Sequence, residues 1–322
     1  MQPPALRPAP GLAFVVPCFN EALVLETLIR ELRALGQKLQ EAGEISGAAQ
    51  IVLVDDGSAD STWQMIEAAS QEGDILGIKL ARNHGHQPAL LAGLMTAKAE
   101  ILVSLDADLQ DDLSAVAQMI ADYRQGSEIV FGVRASRKAD TWFKRRSAGL
   151  YYALMKRLGV DLIHDHADFR LMSRKAVETL RAYQEVNLFL RGMVKSMGFT
   201  TSVVEYDRAP RMAGESKYPV RKMLALATEG ITSFSVQPLR YVAWAGFVIA
   251  IFSFLYVGYA VGARLMGITV SGWASIVASI YMLGGIQLIA LGIIGEYLGK
   301  VYLETKRRPQ FIIETTTQEA EK

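Results

Sequence analysis

Asp106-Ala107-Asp108-Leu109-Gln110 is the stretch whose residue types and spacing best suit chemistry. Two carboxylates stand one residue apart, and an amide follows two residues later. An apolar run at 101–105 precedes them and reads as a short buried strand. In an extended chain, side chains two apart share a side. Asp106, Asp108 and Gln110 would then converge at the C-terminal end of the strand, where open α/β sheets bind ligands. Three oxygen donors suit a hard divalent cation, Mg²⁺ or Mn²⁺, held together with substrate phosphates. Taken alone, the same spacing also fits a solvated acidic turn that caps the next helix.

The elements that must position this motif are legible around it. Strands are predicted at 12–16 (closed by Pro17), 50–54, 75–80, 101–105 and 128–133. Helices are predicted at 20–40, 61–70, 88–98 and 112–123, the first from apolar residues Leu25, Leu28, Ile29, Leu32 and Leu35 at helical spacing. Strands alternating with helices predict a mostly parallel, doubly wound sheet. Parallel strands bring Glu21, Asp55 and Asp56, Asn83, and the acidic motif to one edge. The turn after the first strand carries no Gly-x-Gly-x-x-Gly, which argues against a dinucleotide-binding dehydrogenase.

The chain has 322 residues, 51% hydrophobic, with a formal net charge of +1. That balance gives no reason to expect a nucleic-acid partner. Its single cysteine, Cys18, excludes an internal disulfide framework. Residues 1–10 are Pro-rich, lack the apolar core of a signal peptide, and read as a disordered leader.

The apolar residues are unevenly placed. Residues 241–263 and 265–295 carry no charge, and each stretch is long enough to span a bilayer. Lys217, Arg221, Lys222 and Arg240 precede the first; Lys300, Lys306, Arg307 and Arg308 follow the second; only Arg264 lies between. The positive-inside rule puts both ends in the cytoplasm and the hairpin tip outside. Basic amphipathic patterns at 141–160 and 218–234 fit helices lying in the membrane interface, or ordinary core-facing helices. The expected organisation is a leader (1–10), a catalytic domain (11–215), an interfacial helix (216–237), two transmembrane helices (about 241–263 and 274–296, within 238–298) and a cytoplasmic tail (299–322). Small residues in the second span (Gly284, Gly285, Ala290, Gly292, Gly295) permit close helix packing, so a homo-oligomer is expected.

Val16-Pro17-Cys18-Phe19-Asn20-Glu21, Val54-Asp55-Asp56-Gly57-Ser58, Arg82-Asn83-His84-Gly85-His86-Gln87 and the acidic motif together resemble the polyprenyl-phosphate glycosyltransferases. These are inverting enzymes of A-type fold (Rossmann-like, mostly parallel sheet) in glycosyltransferase family 2. Asp168-Phe169-Arg170-Leu171-Met172-Ser173-Arg174 and Arg211-Met212-Ala213-Gly214-Glu215-Ser216-Lys217-Tyr218 resemble the later motifs of that family, and the paired C-terminal spans match its bacterial branch. The likeness covers about residues 12–309. Leu113 departs from it, standing where a proline often follows the acidic motif.

The resemblance implies transfer of a sugar from a nucleotide donor to undecaprenyl phosphate at the bacterial inner membrane, with the catalytic domain and both termini cytoplasmic. Bactoprenol glucosyltransferases look closest, which favours UDP-glucose. GDP-mannose or a modified UDP-pentose is the alternative donor, and a non-catalytic membrane scaffold the reading from another class. Asp106, Asp108 and Gln110 are the implied ligands of Mg²⁺ or Mn²⁺, with Asp108 nearest the diphosphate and Asp106 nearer the ribose. Pro17, Glu21, Asp55, Asp56, Asn83, Ala107 and Lys217 complete the implied donor site. Arg211, Ser216 and Lys217 are placed on a loop that closes over the donor. The family's proposed base falls on Asp168, with Arg170 its neighbour; either residue also reads as half of a structural ion pair. Arg134, Lys144, Arg145 and Ser147 are candidates to grip the acceptor phosphate, which is already largely anionic at neutral pH, its second pKa being about 6. His84 and His86 read as hydrogen-bonded loop residues near the donor rather than as ligands, because no third donor is near them in sequence.

Overall fold

The computed structural model describes residues 6–134, 166–186, 188, 190–207, 235–266 and 272–318. They divide into two compact units. One holds the chain up to Tyr206 and the residues from Arg307 onward; the other holds the two long apolar helices.

The first unit is built on one sheet. In chain order its elements are β1 (Leu12–Cys18), α1 (Leu25–Glu41), β2 (Gln50–Asp55), α2 (Thr62–Ala69), β3 (Ile75–Leu80), α3 (His86–Thr96), β4 (Ile101–Ser104), α4 (Ala115–Arg124), β5 (Ile129–Arg134), β6 (His166–Ser173), α5 (Arg174–Arg181), α6 (Leu190–Ser196) and β7 (Thr201–Tyr206). After the second unit the chain returns as β8 (Ile313–Thr316). The strand order is β7-β5-β6-β4-β1-β2-β3-β8. β1, β2, β3 and β4 pair in parallel; β6 runs against both β4 and β5, so β5 runs with β4; β7 is parallel to β5; β8 is antiparallel to β3. The expected mostly parallel sheet is present, with two reversed strands added.

Helices cover both faces. β1 and β4 are buried throughout, as apolar runs in a covered sheet must be. Phe14 and Val16 share a core with Leu25, Leu28, Ile29 and Leu32 of α1 and with Val116 and Met119 of α4. The other face takes α3, pressed so close that a side chain at Gly93 would meet Val15 Cγ1 at 2.4 Å and Val54 Cγ2 at 2.9 Å.

Several boundaries differ from expectation for identifiable reasons. β1 runs through Pro17 to Cys18 rather than closing at Pro17. Leu105 donates to Val15 O and Asp56 to Cys18 O, so odd residues of β1 face β4 and even ones face β2. The N–H that Pro17 lacks therefore faces a strand that has already ended at Ser104. α1 begins five residues late because Asn20 takes φ 55 and its side chain accepts from Ala59 N, knitting two loops together. α3 begins two residues early, with Pro88 in its first turn, where a missing N–H costs nothing.

The expected leader is ordered from Arg7 on. Arg7 pairs with Glu128 at 2.7 Å, donates its N–H to Arg124 O and lies over the Tyr123 ring. At the other end, the segment expected as a tail carries β8, held by Ala81 N to Ile312 O (2.9 Å) and Thr317 N to Gly77 O (3.0 Å).

The second unit contains α7 (Gln237–Leu265) and α8 (Trp273–Thr305). Both are long and apolar enough to cross a membrane, and their large apolar side chains, Phe252, Phe254, Leu288 and Ile289 among them, are exposed. The expected amphipathic segments at 141–160 and 218–234 lie outside the described residues.

Candidate active site

The parallel strands deliver their C-terminal ends to one edge, and β6, running the other way, brings its first residues there. Ser104 at the end of β4 stands opposite Arg170. The Ser104 hydroxyl, 1% exposed, donates to Asp168 O at 2.6 Å and so fastens the start of β6 to the start of the acidic loop.

The acidic motif is not extended. β4 ends at Ser104, residues 107–109 turn, and Leu109 takes φ 53, a left-handed conformation that branched and bulky residues rarely adopt. The alternation argument that placed Asp106, Asp108 and Gln110 on one side therefore does not apply. Asp108 Oδ1 instead accepts from Gln110 N at 3.2 Å, and Gln110 is buried.

The side chains brought together are Asp106, Asp168 and His86, whose ligand atoms all lie within 4.8 Å of one another. His86 Nε2 is 3.4 Å from Asp106 Oδ1 and 3.3 Å from Asp168 Oδ2. Asp168 also accepts from Arg170 Nη2 at 3.1 Å, and Arg170 is completely buried. A buried guanidinium holds a carboxylate in one orientation by directional, charge-assisted bonds. About a third of the Asp106 side chain (34%) is exposed, yet its Oδ1 is buried and finds no hydrogen-bond donor among the described residues. Burial pushes this carboxyl up to about 6; His86 pulls it down, and Asp168, Asp111 and Asp108 push it further up.

An imidazole nitrogen with two carboxylates suits Mn²⁺, and Mg²⁺ through the oxygens. The orphaned Asp106 Oδ1 is the kind of acceptor that a cation would satisfy. The donor set therefore fits a divalent ion, and it includes His86, expected near the donor but not among the ligands. The signal available was position alone, since His86 follows β3 and opens α3 at the edge where all these strands end.

Among the other expected donor-site residues, Asp55 and Asp56 have structural partners. Asp56 accepts from His84 N (2.7 Å) and Gly85 N (2.9 Å), clamping the loop that presents His86. Gly57 makes the clamp possible: it takes φ 69, and a Cβ there would meet Asn83 N at 2.6 Å. Asp55 is fully buried, accepts from Ser58 N, and is pushed above the usual carboxylate range by that burial. Glu21 N donates to Thr62 Oγ1, Asn83 is exposed, and Ala107 is buried beside Asp106. Pro17, the penultimate residue of β1, stands opposite Val54. Among the acceptor candidates, Arg134 closes β5; Lys144, Arg145 and Ser147, and the donor-loop residues Arg211, Ser216 and Lys217, lie outside the described residues.

Comparison with known proteins follows the same lines. The protein named uncharacterized glycosyltransferase YkoT of Bacillus subtilis is 49% identical over 311 residues, covering 95% of this chain and 91% of that one. A bactoprenol glucosyl transferase of Shigella phage SfV is 38% identical over 310 residues, 95% of this chain and 99% of that one. The solved mannosyltransferase PcManGT of Pyrobaculum calidifontis, in complex with GDP-Man and Mn²⁺, covers 91% of this chain and 89% of its own at 17% identity and a TM-score of 0.43, a likeness too slight to bear on substrate or metal. Residues 13–181, which hold the sheet from β1 to β6 and every donor of the His86, Asp106 and Asp168 cluster, match the description glycosyl transferase family 2. The chain belongs to that family.

Proposed function

We propose that this protein is a membrane-bound inverting glycosyltransferase that moves one sugar, with glucose from UDP-glucose favoured, onto undecaprenyl phosphate at the cytoplasmic face. The observation that carries the reading is the 38% identity to a bactoprenol glucosyl transferase over 95% of the chain, which takes in both the catalytic sheet and the two apolar helices. The site supports it. An oxygen of the lipid phosphate attacks the anomeric carbon, the bond from that carbon to the diphosphate breaks, and the nucleoside diphosphate leaves with the electron pair. The acceptor arrives already ionised, so positioning matters more than a strong base. Arg170 fixes Asp168 beside the reacting groups, and Arg134, with Lys144, Arg145 and Ser147, holds the acceptor phosphate. Asp106, His86 and Asp168, with Asp108 and Gln110 on the following turn, would hold Mg²⁺ or Mn²⁺. When bound, that ion supplies a Lewis acid for the charge that develops on the leaving diphosphate. Glu21, Asn83, Ala107 and Lys217 line the donor side, and Asp55 and Asp56 hold its loops.

The membrane placement rests on sequence and connectivity. α7 and α8 form a hairpin inserted between β7 and β8, two strands of one sheet. That connectivity supports a hairpin with both ends on one side of a bilayer, as does the positive charge that flanks it.

The test is transfer itself. Full-length protein in detergent, with undecaprenyl phosphate and Mn²⁺ or Mg²⁺, is offered a panel of radiolabelled nucleotide sugars. Label from UDP-glucose is expected in the organic phase, and is lost with Asp108→Ala and with EDTA. Label from GDP-mannose alone replaces the donor; no label from any donor overturns the reading.

A further inference from the structure

A polar cluster outside the donor set lies just beyond the acidic loop. Asp111 is 7% exposed and Tyr206 3% exposed, and the Tyr206 hydroxyl donates to Asp111 Oδ1 at 2.5 Å. The Arg134 guanidinium attracts the same carboxylate, whose buried Oδ2 meets no hydrogen-bond donor among the described residues. Arg134 stands beside Tyr206 in the β5–β7 register, and its guanidinium also reaches the Tyr206 hydroxyl. The Tyr206 ring packs edge-on against Phe169 at 5.2 Å, and Phe169 lies between Asp168 and Arg170 on β6. One side chain thus touches the loop that carries Asp106, the strand that carries Asp168, and Arg134.

We propose that Asp111, braced by Tyr206, is a positioning residue that anchors the end of the acidic loop to β7 and so sets Asp106 for the divalent cation. The inference rests on the cation site of the proposed function. Burying a carboxylate is costly unless it is compensated, and an apolar pair would fill this volume at no such cost. What the polar pair adds is geometry: its hydrogen bond is directional, and with the Tyr206 ring on Phe169 it ties the acidic loop to β7 and β6. Leu109, held at φ 53 inside the loop, shows that the loop is not in a conformation it would adopt unaided. Burial, reinforced by the hydrogen bond to Asp111, raises the Tyr206 hydroxyl above its ordinary value, so it remains a donor at neutral pH.

The measurement is Mn²⁺ affinity of the full-length protein in detergent with UDP present, read as free Mn²⁺ by electron paramagnetic resonance. Tyr206→Phe keeps the ring on Phe169 and removes only the hydroxyl. It is expected to weaken Mn²⁺ binding about 10- to 100-fold, the usual effect of removing a group that orients a metal ligand. Asp111→Asn is expected to do the same, and the double variant to be no worse than the weaker single. If Asp111→Asn does not fold, Tyr206→Phe decides alone. Wild-type affinity in folded Tyr206→Phe, while Asp106→Asn binds no Mn²⁺, overturns the brace and leaves the cation site standing. Wild-type affinity in Asp106→Asn overturns the cation site, and the brace with it.

Discussion

The ends of β2 and β4 carry carboxylates that look alike in the sequence and behave differently in the fold. At the end of β2, both oxygens of Asp56 are taken by backbone N–H groups, those of His84 and Gly85. At the end of β4, Asp106 Oδ1 is buried with no hydrogen-bond donor among the described residues, and burial pushes the carboxyl up to about 6. Asp56 builds a loop; Asp106, beside His86 and Asp168 at the same edge, is placed for a ligand. The two are nonetheless linked, because the loop that Asp56 clamps is the one that carries His86 to Asp106.

Substitution at the two positions should separate the roles. Asp106→Asn removes a charge that the fold does not use, so the thermal midpoint is expected to stay level or rise while Mn²⁺ binding is lost. Transfer should fall about 10³-fold, the scale of several kcal/mol of lost Lewis-acid stabilisation. Asp56→Ala should do the reverse: it frees two backbone donors and costs about 2–3 kcal/mol of stability, read as a lower midpoint in thermal unfolding. Its effect on transfer should be smaller than that of Asp106→Asn, since it acts only through the loop. A large loss of binding with unchanged stability in Asp56→Ala would erase the distinction.

The sequence shows this edge more clearly than the contacts within it. β1 to β5 are apolar runs separated by helices with apolar residues at helical spacing, and such patterns survive into structure with small shifts at their ends. β6 was not readable as a strand because Asp168 and Arg170 interrupt its apolar run; their charges are tolerated inside because they neutralise each other at 3.1 Å. β8, Ile-Glu-Thr-Thr, has no apolar pattern, and its pairing with β3 depends on main-chain bonds that any sequence can make. The acidic motif was recognisable by composition, but its conformation was not. Leu109 in a left-handed conformation is a tertiary effect, and it converts an expected row of three oxygens into a turn. His86 was discounted for want of a third donor nearby, because its partners come from strands far along the chain.

The remaining prediction concerns protons and is the smallest in free energy. Asp106 must be ionised to hold a cation, and burial has moved its carboxyl from 3.8 up to about 6. Below that value, Mn²⁺ affinity should fall about tenfold per pH unit, since each unit costs 1.36 kcal/mol of deprotonation. A steeper fall would mean that a second group, the His86 imidazole, also releases a proton on binding. For the protein without metal the sign is opposite. The folded chain binds more protons at Asp106 than the unfolded chain between the two values, so this group favours folding at the acid end and loses that contribution as pH rises through about 6. Titrating Mn²⁺ at several pH values tests the first claim, and thermal unfolding in EDTA over the same range tests the second. Asp56→Ala should leave both profiles in place, because Asp56 spends its oxygens on the backbone; Asp106→Asn, which loses Mn²⁺ binding, should flatten the stability profile.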